Sequence, residues 1–179
     1  SSPFDESAVD FLEKLNCPAY KIASAEINHI PLLIKVAKTK KPVIVSIGLA
    51  NLNEVKLAIK TLKKNGCKKI VLLKCVSSYP SPLDEQNLIS IPELKKKFGT
   101  LVGLSDHTVG LAAPITSVIL GASLVEKHFN LKDKKKTVDS FFSINHLDFK
   151  NMVKEIRNAE TSLGKISFDI SKSSKKNLN

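Results

Sequence analysis

The sequence predicts an α/β fold of repeated βα units around a parallel sheet, an incomplete (β/α)8 barrel with about five to six of those units. Two observations predict it. Short β-branched or apolar runs alternate with longer amphipathic ones, a rhythm that joins parallel strands through helical crossovers. Reactive side chains recur at the C-terminal end of each short run, and in a barrel those ends converge on one mouth.

The strand runs are residues 19–23, 42–47, 69–76, 101–104 and 123–129. Residues 1–4 read as the tail of a further strand. Asp5 precedes a helical face of Ala8, Phe11, Leu12 and Leu15, and Pro31 opens a second helix over residues 32–39. The clearest helix covers residues 52–65, where Leu52, Val55, Ile59 and Leu62 share one face, Asn51 and Glu54 have capping-box spacing, and Gly66 stands at the stop. Pro80, Pro82 and Pro92 predict a longer loop leading into a short helix. Asn145 opens a last helix carrying Phe149, Met152, Val153, Ile156 and Leu163. These elements predict a partial barrel domain over residues 1–165 and a polar, lysine-rich, frayed tail over 166–179.

So few strands cannot close an eight-stranded barrel, and an open parallel sheet leaves two unpaired edges. The chain is then either part of a longer barrel or a doubly wound fold. The consistent placement of polar residues at one end of the strands favours the barrel.

At 179 residues and 42% hydrophobic, the chain can bury the core of one domain. No run approaches the roughly 20 apolar residues of a membrane span, and the first residues lack the basic start and apolar stretch of a secretory signal. A cytoplasmic protein is expected, although the chain begins without Met. The cysteines Cys17, Cys67 and Cys75 match no CxxC spacing and sit in or beside apolar runs, so reduced thiols are expected. The net charge of +11 invites a nucleic-acid partner. Against it, nearly all the positive charge is lysine on helix faces and in the runs 132–136 and 172–176, with Arg157 the sole arginine. Base readout favours arginine, and stacking needs exposed aromatics.

At the strand ends stand Lys21, Ser24 and Glu26, then Ser46, then Lys74, Ser77 and Tyr79, then Ser105, Asp106 and His107, and last Glu126, Lys127 and His128. Lys21 with Ser24, Ser77 and Ser105 can form an anion pocket, the ammonium giving point charge and the hydroxyls directed hydrogen bonds. Taken singly, each reads equally as a surface lysine or turn serine. His107 and His128 at consecutive strand ends suit a divalent metal such as Mn²⁺, Mg²⁺ or Co²⁺, or else hydrogen-bonded structure. Asp139 and Ser140 could serve as helix caps.

Four strings in order make the chain resemble the sialic acid synthase family. They are Tyr20-Lys21-Ile22-Ala23-Ser24 with Glu26, Leu73-Lys74-Cys75-Val76-Ser77-Ser78-Tyr79-Pro80, Gly103-Leu104-Ser105-Asp106-His107-Thr108, and Gly121-Ala122-Ser123-Leu124-Val125-Glu126-Lys127-His128-Phe129. The opening Ser1-Ser2-Pro3-Phe4-Asp5 and the loop Val138-Asp139-Ser140 are more similar to pseudaminic acid synthases than to N-acetylneuraminate synthases, whose loop usually reads Pro-Gly-Pro-Asp.

The resemblance implies an enzyme in which C3 of phosphoenolpyruvate attacks the aldehyde of an open-chain amino sugar, water adds at C2 and phosphate leaves. The product is a nine-carbon α-keto acid. It implies that His107 and His128 hold the divalent metal and that Ser2, Lys21, Ser24, Ser77 and Ser105 bind phosphoenolpyruvate. Glu26, Tyr79 and Asp139 form the catalytic set facing the sugar, with Asp106 an orienter of the mouth. The subclass implies 2,4-diacetamido-2,4,6-trideoxy-altrose as the sugar; the alternatives are N-acetylneuraminate or legionaminate synthesis, or a truncated, inactive paralogue. Two departures border the pocket: Ser46-Ile47-Gly48-Leu49 stands where the family usually has Ser-Thr-Gly-Met, and Ala25 where it has an aromatic. The run Lys134-Lys135-Lys136-Thr137 replaces a Gly-rich loop. The resemblance also implies two preceding barrel strands and a C-terminal antifreeze-like domain that reaches across a homodimer to donate an arginine.

Overall fold

The computed structural model describes residues 1–131 and 137–177. The lysine run at 132–136 and the last two residues of the tail lie outside the described residues.

Among the described residues, five parallel strands form one sheet in the order β1-β2-β3-β4-β5, a half-barrel with helices packed on its outer face. The strands are β1 (Tyr20–Ile22), β2 (Val43–Ser46), β3 (Ile70–Cys75), β4 (Leu101–Asp106) and β5 (Val125–Lys127). The helices are α1 (Glu6–Lys14), α2 (Ile30–Lys38), α3 (Leu52–Lys64), α4 (Ser90–Phe98), α5 (Ala112–Ile119) and α6 (His146–Leu163). Residues 1–3 form no strand, yet Lys21 N donates to Ser1 O at 2.8 Å, so the chain start runs beside β1.

Local chemistry sets the ends of these elements. Asp5, Asn51 and Asn145 cap α1, α3 and α6 through their side chains, and Asn51 with Glu54 completes the capping box. α5 carries small apolar residues with weak periodicity and opens near Pro114, so the sequence announces it less clearly than its neighbours. β4 runs two residues beyond the apolar stretch that predicts it, because Ser105 and Asp106 are buried and paired rather than solvated.

Strand parity decides what each side chain meets, since alternate residues point to opposite faces. Tyr20, Ile22, Val43, Val45, Ile70, Leu72 and Val102 face the helices and form the main core with Leu32, Leu33, Val55 and Leu62. The other parity faces the barrel interior. It holds the registers Lys21↔Ile44↔Val71↔Leu101 and Cys75↔Ser105↔Glu126. Between them stands Gly103, where a Cβ would overlap the Leu124 carbonyl oxygen and come within 2.8 Å of Leu73 Cδ2. That glycine lets the backbones approach on the curved inner face.

We predict that Gly103→Ala in the full-length protein lowers unfolding stability by about 2–3 kcal/mol through overpacking, measured by chemical denaturation. An unchanged midpoint would contradict this close approach.

Candidate active site

The C-terminal ends of all five strands border one cavity of about 130 Å³. Lys21, Ala23 and Ser24 come from β1 and the turn after it, Ser46 from β2, and Cys75 and Tyr79 from β3 and its loop. Ser105 and His107 come from β4 and its continuation, Glu126 and His128 from β5 and the residue after it. A wider groove of about 790 Å³ at the opposite strand ends, lined by Lys68, Lys69 and Thr100 among others, holds none of the residues singled out in the sequence.

One side of the small cavity carries a lysine, a carboxylate and three serine hydroxyls. Glu126 Oε1 accepts from Ser105 Oγ at 2.7 Å and pairs with Lys21 Nζ at 3.2 Å, which holds the lysine head in the cavity wall. Ser24 Oγ accepts from Leu49 N at 2.7 Å, which leaves the hydroxyl proton free to donate. Ser46 Oγ is buried with no hydrogen-bond partner, and an orphaned buried hydroxyl costs about 1–3 kcal/mol unless a ligand satisfies it.

The other side is aromatic. The ring centres of His107 and His128 lie 5.3 Å apart, with Tyr79 at 4.2 Å from His107 and 5.8 Å from His128. His107 Nδ1 lies 2.9 Å from the Val76 carbonyl oxygen, which can only accept, so Nδ1 carries the proton and Nε2 keeps a free lone pair. Burial, the largest influence on it, holds the His107 pKa below the usual histidine value and favours the neutral form.

These features fit a divalent cation held by two imidazoles. Rings bound to one ion at about 2.1 Å from side-by-side positions have centres about 5 Å apart, close to the separation seen here. Among the described residues no group of three or more His, Cys, Asp or Glu could hold a metal, so within them the two imidazoles stand as a pair.

The remaining predicted residues stand further out. Ser77 is not in the cavity lining, and its Oγ lies 3.8 Å from Cys75 Sγ. Ser2 is exposed beside β1. Glu26 occupies a 3₁₀ turn (Ser24–Glu26) and pairs with His29 at 3.7 Å, outside the cavity lining. Asp139 lies 3.6 Å from His128 Nδ1. It caps no helix, and Ser140 Oγ accepts from Thr137 N within the same loop. Asp106 turns away from the interior and accepts from Thr108 N at 2.8 Å and from Lys127 Nζ at 2.6 Å, a pair whose side chains are 0% and 3% exposed. Glu126, Ser46 and Cys75 line the cavity although no role was assigned to them from sequence. Their inward parity, shared with Lys21 and Ser105, is the signal that could have found them.

Residues 1–168 match the NeuB family. The chain belongs to the NeuB family. Among its relatives, the pseudaminic acid synthase of Helicobacter pylori is 47% identical over 164 residues, covering 92% of this chain and 48% of the relative. The N,N'-diacetyllegionaminic acid synthase of Campylobacter jejuni is 40% identical over 181 residues, covering 100% of this chain and 54% of the relative. The crystal structure of an N-acetylneuraminic acid synthetase from Leptospira borgpetersenii in complex with citrate superposes with a TM-score of 0.88 at 31% identity, covering 99% of this chain and 62% of that one. This NeuB chain thus spans about half the length of the curated relatives it matches. No described helix is long and apolar enough to cross a membrane.

In this NeuB half-barrel the buried Asp106–Lys127 pair ties β4 to β5 directly behind the two histidines. We predict that Asp106→Ala in the full-length protein, which leaves the Lys127 ammonium buried with only the Thr108 carbonyl and no counter-charge, costs about 3–5 kcal/mol, whereas Asp106→Leu with Lys127→Met costs far less. Equal losses from the two changes, measured by denaturation, would show that the pair is not the source of the effect.

Proposed function

We propose that this chain forms the catalytic face of a synthase that condenses phosphoenolpyruvate with an open-chain 2,4-diacetamido-2,4,6-trideoxy-altrose to give a nine-carbon α-keto acid and phosphate. The observation that carries the reading is the meeting of Lys21, Ser24, Ser46 and Ser105 with His107 and His128 around one cavity. The similarity to a protein named pseudaminic acid synthase supports this choice of sugar, as do the opening Ser1-Ser2-Pro3-Phe4-Asp5 and the loop Val138-Asp139-Ser140.

In this reading the lysine and serines bind the phosphate and carboxylate of phosphoenolpyruvate. Lys21 supplies charge and the hydroxyls of Ser24 and Ser46 supply directed donors, while Ser105 holds Glu126 beside them, so negative charge is stabilised as phosphate departs. Ser77 and Ser2 stand outside the cavity lining. His107 and His128 would hold a divalent cation, which when bound supplies Lewis-acid polarisation of the aldehyde oxygen. Tyr79, Asp139 and Glu26 face the sugar from the loops.

The bond changes balance. C3 of phosphoenolpyruvate forms a bond to the aldehyde carbon, whose oxygen takes up a proton to become a hydroxyl. Water adds at C2 and loses a proton, and as the C2–O bond to phosphate breaks the new hydroxyl gives its second proton to the departing phosphate and becomes the keto group. Among the described residues Glu126 is the carboxylate lining the cavity, and with Ser105 Oγ at 2.7 Å it is placed to receive the proton that water gives up.

The test is phosphate release by the full-length protein with each sugar at equal concentration. The account predicts faster release with the trideoxy-altrose sugar than with N-acetylmannosamine, because a pocket fitted to a C6 methyl and a C4 acetamido group leaves polar atoms unpaired against hydroxyls. It also predicts at least about a tenfold loss in His107→Ala and His128→Ala, or roughly 1.4 kcal/mol of transition-state stabilisation. Equal turnover of N-acetylmannosamine would overturn the choice of sugar. Full activity in either histidine variant would overturn its role.

A further inference from the structure

The two histidines at the cavity are held by different means. His107 is fixed by the hydrogen bond from Nδ1 to the Val76 carbonyl at 2.9 Å. His128 has a carboxylate beside it, but Asp139 Oδ2 lies 3.6 Å from Nδ1, too far for a hydrogen bond, and the Asp139 side chain is 54% exposed to screening water. The terminal torsion of a histidine is broad, so a ring without a hydrogen bond swings easily away from the orientation a ligand needs.

Packing supplies the missing restraint. Phe142 is only 5% exposed, and its ring centre lies 4.9 Å from that of His128 with the planes inclined at 59°. Tyr79 touches His128 as well, at 5.8 Å, but it is half exposed. The backbone holds Phe142 in place. Ile144 N donates to His128 O at 2.8 Å and Asn130 N to Ile144 O at 3.0 Å, so the loop segment bearing Phe142 is clamped alongside the extension of β5 bearing His128. Ser143 adds a second clamp within the loop, donating from N and Oγ to Asp139 O at 3.1 and 2.7 Å.

We propose that Phe142 is a positioning residue that holds His128, by ring packing, in the ligating orientation that the Val76 carbonyl imposes on His107 by hydrogen bonding. The proposal rests on the reading of both histidines as ligands of one divalent ion. Groups that orient a metal-bound histidine change affinity by about 10–100-fold when removed, and Phe142 does this work without a polar atom.

The experiment is titration of the full-length protein with Mn²⁺, following free ion by electron paramagnetic resonance, in wild type, Phe142→Ala, Phe142→Leu, Phe141→Ala and His128→Ala. Phosphoenolpyruvate affinity without metal is measured alongside. Phe142→Ala is expected to weaken Mn²⁺ binding by at least about tenfold while phosphoenolpyruvate affinity stays put. Phe142→Leu, which refills the space beside the imidazole, is expected to recover most of that loss, and Phe141→Ala to match wild type. Wild-type Mn²⁺ affinity in Phe142→Ala, with binding lost in His128→Ala, would overturn the proposal and leave the ligand reading standing. A matching loss of phosphoenolpyruvate affinity in Phe142→Ala would also overturn it, by exposing a general collapse of the mouth. Undiminished Mn²⁺ binding in His128→Ala would remove the ligand reading and the proposal together.

Discussion

The sheet's curvature, which brings Lys21 on the first strand within 3.2 Å of Glu126 on the last, is the constraint on which the site depends. In a flat sheet the ends of β1 and β5 would stand four strand spacings apart, about 19 Å at 4.8 Å per spacing. Curling closes that gap across the inner face. Once the sheet is curled, inward parity delivers one polar residue from each strand to the same small volume, with Gly103 leaving room where strands crowd and the helices burying the outward parity. Sheet geometry, rather than any single strong contact, converts distant sequence positions into neighbours.

Polar burial around that volume follows one rule with two departures among the described residues, Thr108 Oγ1 behind the mouth and Ser46 Oγ. Asp106 and Lys127 satisfy each other behind the mouth, Ser105 and Lys21 satisfy Glu126, and the Val76 carbonyl satisfies His107. Ser46 Oγ departs from it, and it faces the cavity. Unpaired polar groups are costly in a folded core, so their occurrence at a cavity wall marks where a ligand's own polar atoms complete the structure. Here the lysine and serine side and the histidine side share that wall. A phosphate-bearing ligand and a second ligand with a polarisable oxygen would engage one side each and be held close together.

Much of this was legible in the sequence because strand periodicity and helix caps are local signals. Asn51 with Glu54, Asp5 and Asn145 mark helix starts that the structure confirms, and the five apolar runs become the five strands. The end of β4 was not legible, since Ser105-Asp106 reads as polar loop until Lys127, twenty-one residues on, is seen to neutralise it. Glu126 escaped assignment for the same reason: its partners Lys21 and Ser105 come from other strands. Phe142 carries no signal in the sequence, since its contact with His128 depends on a backbone clamp between Ile144 and His128 that no local pattern announces. Glu26 and Ser77 were grouped with the site by their places at strand ends and Ser2 by family likeness, and none of the three lines the small cavity.

The central claim is that one cavity joins an anion subsite at Lys21, Ser24 and Ser46 to a cation subsite at His107 and His128. The most direct measurement is a crystal structure of the full-length protein grown with Mn²⁺ and phosphoenolpyruvate, with anomalous scattering collected at the manganese edge. The account predicts an anomalous peak within about 2.3 Å of a nitrogen of each histidine, with the phosphate against the lysine and serines of the same cavity. A peak elsewhere, or phosphoenolpyruvate bound at a separate site with this cavity filled only by water, would contradict it.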